Sequence, residues 1–296
     1  MKVVISGSSG LIGQALYRYL SANGHEVGCL QRNNSAQDYP HWDPGKGLID
    51  FGSFSNADVV IHLAGESIAA GRWTTEKKYR ISNSRIKGTE LISEYLVALP
   101  HKPKVFISGS AIGIYGDRGD ELVDEDSRLG DGFLADICKR WEEATIPAAE
   151  ADIRVVNIRT GMVLSSSGGA LKKMVFPFQM GLGGVIGNGK QYMSWISAND
   201  VVESIHYLMK NDSIHGAVNL VSPYPVRNYE FVKTLGRILH RPTIIPAPAW
   251  ALRLILGEMA NELVLASTRV TPNKLLSVGY KFQHSKLDEA LQYVLI

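Results

Sequence analysis

Short apolar runs alternate with longer stretches of helical period through the first half of the chain. Val3 to Ser6, Val27 to Leu30, Val59 to Leu63, Val105 to Ser108 and Arg154 to Ile158 are brief and rich in β-branched residues. They are apolar at consecutive rather than alternate positions, the pattern of parallel strands buried on both faces. Between them, Leu11 to Asn23, Thr75 to Leu99 and Leu134 to Glu150 read as helices. Strands and helices in regular alternation predict an α/β fold with a doubly wound parallel sheet.

The texture changes after Thr160. Glycine and serine are dense from Gly161 to Gly189, with a short helix near Leu171 to Gln179, which suggests an excursion over the sheet edge where a substrate would lie. Order resumes in "MSWISANDVVESIHYLMK", where Asn199 or Asp200 is placed to cap the next helix. The last third, punctuated by Pro223, Pro225, Pro242, Pro246 and Pro248, reads as a small helical lobe. The expected division is a Rossmann-type cofactor domain over 1–160 with a return segment at 190–220, and a substrate lobe from 161–189 and 221–296.

The first strand runs into "GSSGLIG", a GxxGxxG turn with Gly7, Gly10 and Gly13 that opens the first helix. In that position glycines let the backbone approach a pyrophosphate, and the helix N-terminus supplies unpaired N–H groups and a favourable dipole. Ser9, Leu11 and Ile12 fall in the same turn. At the end of the second strand, in "VGCLQRNNS", Gln31 and Arg32 stand where an NAD site usually carries a carboxylate for the ribose 2′-hydroxyl. An arginine without that carboxylate favours a 2′-phosphate, so the expected cofactor is NADP. "GVIGNGKQ" imitates a triphosphate-binding loop, but Gln191 replaces the magnesium-holding hydroxyl and no helical pattern follows, which excludes that reading.

Composition narrows the partners. The 296 residues carry 31 Lys and Arg against 29 Asp and Glu, with no long basic run, so nucleic acid is not an expected partner. Cys29 and Cys138 stand singly in apolar segments, which points to free thiols in a reducing, cytoplasmic setting. The N-terminus is already strand and turn rather than a signal peptide. "PAWALRLILGEMA", from Pro248 to Ala260, is too short to span a bilayer and reads as a buried or partner-facing helix; no membrane partner is expected. No zinc-binding HExxH pattern occurs and the histidines are scattered, so no metal is expected.

Together "GSSGLIG", "DVVIHLAGES", "SGSAIGIYG" and "SWISANDV" resemble the extended short-chain dehydrogenase/reductase superfamily. More narrowly, "AGESIAAGRWT", "IYGDRGDE", "FLADICKRWE" and "RTGMVLSSSGGAL" are similar to its atypical epimerase-family branch, also labelled cell-division-inhibitor-like. The resemblance covers almost the whole chain. It implies that Leu63, Ala64 and Gly65 join the cofactor site. It also implies a proton relay in which Ser110 is the serine and Lys139 the lysine that holds the nicotinamide ribose. The relay tyrosine belongs four residues before the lysine, and that position is Ala135. The asparagine usual in the family is missing, with Arg85 at about its place. Tyr115 is the nearest alternative phenol in the sequence, with packing as its plainer role.

Two functions follow. One is an NADP-dependent oxidoreductase or epimerase with a rearranged proton donor, acting on a small polar substrate such as a nucleotide-linked one. The other is a non-catalytic NADP(H)-sensing module that acts through a protein partner. A homodimer is compatible with either.

Overall fold

A computed structural model describes residues 1–32 and 40–296. Six parallel strands form the central sheet: β1 (Lys2–Ser6), β2 (Glu26–Leu30), β3 (Val59–His62), β4 (Val105–Ala111), β5 (Arg154–Thr160) and β6 (Gly216–Leu220). Their order is β6-β5-β4-β3-β1-β2, so the winding reverses between β1 and β3. A reversal of this kind opens a crevice at the carboxyl ends of the strands, where α/β proteins hold ligands.

Alternating side chains explain why both faces are apolar. Val3, Ile5, Ile61, Ile107 and Ile158 project to one face, under Leu16 and Leu20 of α1 (Leu11–Ala22) and residues that include Ile205 and Leu208 of a later helix. Val4, Val60 and Phe106 project to the other face, under Ile92 and Leu96 of α2 (Thr75–Ala98). A strand buried on both sides has no polar face to show, hence the continuous apolar runs.

Two local readings change. The helix expected over Leu134 to Glu150 is two: α3 (Phe133–Glu143) and α4 (Ile146–Glu150), divided at Ala144 and Thr145 with Pro147 in the first turn of the second. Proline has no N–H to continue the earlier ladder. Beyond β2 lies an antiparallel hairpin, His41–Asp43 against Leu48–Asp50. After α5 (Gly169–Gln179), the helix α6 (Ala198–Lys210) is capped by Ser197, whose hydroxyl accepts from the Asp200 N–H at 2.9 Å. Asp200 is instead wholly buried inside the first turn and receives the N–H groups of Gln283 and His284.

The C-terminal third is helical, as its pattern suggests: α7 (Asn228–Ile238), α8 (Ala249–Leu256), α9 (Asn273–Ser277) and α10 (Leu287–Leu295). Leu171 and Phe178 of α5, Phe231 and Leu235 of α7 and Leu291 of α10 form a separate apolar cluster. Leu275 of α9, with Tyr280 and Phe282, returns to the main core. The helix α8 has no fully buried residue, while Met259 and Ala260 at the end of the same segment are buried.

Candidate functional site

The turn between β1 and α1 is built by contacts that only glycine permits. Gly7 has φ +73°, and a Cβ there would stand 2.7 Å from the Ala64 nitrogen and the Leu63 carbonyl carbon. A Cβ on Gly13 would stand 2.2 Å from the Gly7 oxygen. Gly7 therefore lets the turn touch the end of β3, and Gly13 lets α1 seat against the turn. Gly10 differs, since its Cβ would meet only the Gly7 oxygen, at 3.3 Å. Its outer side faces open space.

That space lies at the head of α1. No side chain caps this helix and its first turn has no acidic residue, so the positive end of the dipole is free to meet an anion. Ser9 and Gly10 are exposed, and Leu11 and Ile12 are half-buried at the same rim. Gly168 and Gly169, opening α5, lie against Leu11 from across the cleft. These residues fit a dinucleotide pyrophosphate. Gln31 and Arg32 are exposed at the end of β2, where Gln31 still pairs with the backbone of the hairpin strand. Asn33 to Ser35, in the same quoted segment, lie outside the described residues.

Beneath the turn, the Ser6 hydroxyl and His62 Nδ1 share a hydrogen bond of 2.5 Å, both residues buried. Burial, with help from the Arg85 charge, lowers the His62 pKa to about 3, so its imidazole is neutral at physiological pH. Arg85 supports the other rim. Its guanidinium lies 5.1 Å from the centre of the Trp141 ring and donates to the Glu66 carbonyl at 3.0 Å, holding the loop that begins Leu63, Ala64, Gly65. Glu66 is paired with the buried Lys77 ammonium, which depresses its carboxyl pKa.

The end of β4 is occupied differently. The Ser110 hydroxyl donates to Glu142 Oε1 at 2.6 Å. Glu142 also takes two bonds from Arg159, at 2.8 and 2.9 Å, in a nearly buried pair. Arg159 donates onward to the Tyr115 hydroxyl at 2.9 Å, and that hydroxyl donates its proton to Asn219 Oδ1 at 2.7 Å. Asn219 reaches the Thr271 carbonyl at 3.0 Å, tying the sheet to the C-terminal lobe. Tyr115 is wholly buried, and desolvation pushes its pKa up to about 12. Burial opposes the Arg159 charge, but the Glu142 bonds outweigh it and raise that pKa.

Ser110, Tyr115 and Lys139 each have other partners in this structure. Ser110 and Tyr115 are joined only through Glu142 and Arg159, while Lys139 lies 3.7 Å from Asp136 on its own helix. The α3 residues turned toward the end of β4 are Leu134, packed where a Gly113 Cβ would be, together with Cys138 and Trp141. Burial drives the Cys138 thiol up to about 12. Ala135 has no exposed surface. Sequence reasoning missed Glu142, Arg159 and Asn219. The available signal was Arg159 itself, a charge in the middle of "VVNIRT" that a buried strand tolerates only with a partner.

The comparisons agree with this frame. The model of the NAD dependent epimerase/dehydratase family matches residues 3–220. The chain belongs to that family. A domain of unknown function, DUF1731, matches residues 247–294. An epimerase family protein of Mycobacterium leprae is 42% identical over 98% of this chain and 94% of its own length. The human epimerase family protein SDR39U1, solved with NADPH, superposes with a TM-score of 0.90 at 29% identity over 99% of both chains. A nucleoside-diphosphate sugar epimerase from Corynebacterium glutamicum gives 0.82 at 34% identity, over 99% of this chain and 59% of that one.

Proposed function

We propose that this family member binds NADP(H) in the cradle at the head of α1 and acts as an oxidoreductase or epimerase-like enzyme. Its substrate is a small polar molecule, nucleotide-linked by analogy with the relative from Corynebacterium glutamicum. The observation that carries the reading is the uncapped, acid-free N-terminus of α1 with open space outside Gly10. Gly7, Gly10 and Gly13 admit the pyrophosphate, and the backbone near Ser9, Leu11 and Ile12 supplies donors to it. Arg32 meets the 2′-phosphate, and Leu63, Ala64 and Gly65 wall the opposite side. The NADPH held by the human relative supports the choice of cofactor. When bound, the nicotinamide supplies a hydride donor or acceptor.

The division into a cofactor domain (1–160 with 190–220) and a substrate lobe (161–189 and 221–296) belongs to the same proposal. Support for it comes from the separate apolar cluster under α5, α7 and α10. Free Cys29 and Cys138 support a cytoplasmic setting.

A second reading, a non-catalytic NADP(H) sensor with a protein partner, is favoured by one observation. The Tyr115 proton is committed to Asn219, the Ser110 proton to Glu142, and Ala135 stands at the tyrosine position. One experiment separates the two. NADPH is titrated calorimetrically, and reduced-nicotinamide absorbance is followed with a panel of keto-sugar nucleotides and small carbonyl compounds. Binding with turnover supports the enzyme, binding without turnover on any compound supports the sensor, and no binding overturns both.

A further inference from the structure

We infer that the outer face formed by α5, the 179–187 segment and α8 docks on an anionic lipid surface. This inference is independent of the cofactor reading. Phe176, Met180, Leu182, Ile244, Trp250 and Leu254 are each between 59% and 79% exposed. Side chains of this size present on the order of 100 Å² apiece at such exposure, so together they reach the upper end of the largest apolar patch on an ordinary monomer, about 300–600 Å².

The backbone brings these segments side by side. Residues 185–187 run beside Ala247, with Ala247 N–H to Val185 oxygen and Gly187 N–H to Ala247 oxygen both at 2.8 Å, and Arg241 reaches the Gln179 carbonyl at 3.1 Å. Met180 and Leu182 are thereby carried next to the strip that holds Ile244 and leads into α8. A helix that buries none of its residues, with Trp250 and Leu254 in its outer surface, contributes little to its own fold.

Charge selects the partner. Residues 166–199 carry three Lys or Arg and residues 231–257 carry four, and neither stretch has a single Asp or Glu. The whole chain, by contrast, is nearly balanced. Lys172 stands one helical turn before Phe176, Lys233 bonds Thr243 next to Ile244, and Arg253 adjoins Leu254 within α8. None of the seven forms an ion pair among the described residues. Exposed Trp, Phe and Leu ringed by Lys and Arg is the composition of an interfacial, non-spanning membrane contact. A twofold contact between two copies would instead set one basic rim against another. No described helix is long and apolar enough to cross a membrane, and a peripheral contact needs none. The sequence expectation of no membrane partner rested on spanning length alone, which says nothing of a patch assembled from three segments.

The test is vesicle co-sedimentation of the full chain with phosphatidylcholine alone and with phosphatidylcholine containing one third phosphatidylglycerol, at low and high salt. The expected result is at least tenfold more protein on the anionic vesicles at low salt. Trp250→Ser with Leu254→Ser should abolish that binding, and Lys233→Gln with Arg241→Gln should weaken it severalfold. Melting temperatures should change little, since these side chains lie outside the core. Equal binding to both vesicles, or none, overturns the inference. So does a concentration-dependent dimer, seen by sedimentation velocity, that Leu254→Ser dissolves.

Discussion

The heads of the two strands that flank β3 have opposite character. At the end of β1, backbone and glycine leave donors unpaired and space open: Gly10 faces nothing and α1 has no cap. At the end of β4, every hydroxyl is already engaged: Ser110 with Glu142, Tyr115 with Arg159 and Asn219. Open donors are a cost that a ligand can relieve, whereas a satisfied buried network gives rigidity. The first end suits binding. The second serves as a strut between the sheet and the C-terminal lobe.

The largest effect should come from cutting the strut. Glu142→Ala strands the Arg159 charge in the interior and should cost about 3–5 kcal/mol in urea unfolding. A loss below about 1 kcal/mol would mean the pair is solvated and the end of β4 is open after all.

Next comes the floor of the cradle. His62 has a folded pKa of about 3 against 6.5 for the free side chain. Its stabilisation is complete above pH 6.5 and is lost as pH falls through the folded value, because the unfolded chain takes up the proton first. Between pH 7 and 4.5 this amounts to about 2–3 kcal/mol. His62→Asn should show a flatter stability profile over that window than the unaltered chain, and equal slopes would detach His62 from the acid sensitivity.

A third change sharpens the binding end. Arg32→Ala should cut the preference for NADP over NAD by about tenfold, the scale of one charge-assisted contact. An unchanged ratio of dissociation constants would move the 2′-phosphate away from Arg32. Smallest is Tyr115→Phe. It leaves Asn219 and Arg159 each one partner short, which should cost about 1–2 kcal/mol by thermal or urea unfolding. No loss would show that water replaces the hydroxyl.

The sheet and the cradle were legible in the sequence because local rules fix them. Continuous β-branched runs such as "DVVIH" can only be doubly buried strands, and Gly7 and Gly13 mark contacts that a Cβ forbids. The relay end was not legible because it depends on which face of α3 meets β4. A spacing of four identifies a helical stripe without saying how deep each member lies: Ala135 is wholly buried together with Leu134 and Cys138, while Lys139 is only half-buried. The partners of Glu142 lie 17 and 32 positions away, beyond any local pattern. Likewise α8 reads as apolar in sequence, and only packing reveals that none of its residues is fully buried.

The contrast between the two strand ends is tested most directly by one calorimetric series: NADPH titrated into the unaltered protein, Gly10→Val and Tyr115→Phe under identical conditions. Branched carbons at Gly10 fill the space outside the turn, so that variant should lose at least a hundredfold in affinity, about 2.7 kcal/mol, while staying folded. Tyr115→Phe should bind NADPH within twofold of the unaltered protein. The opposite pattern, with binding kept in Gly10→Val and lost in a folded Tyr115→Phe, would contradict the account.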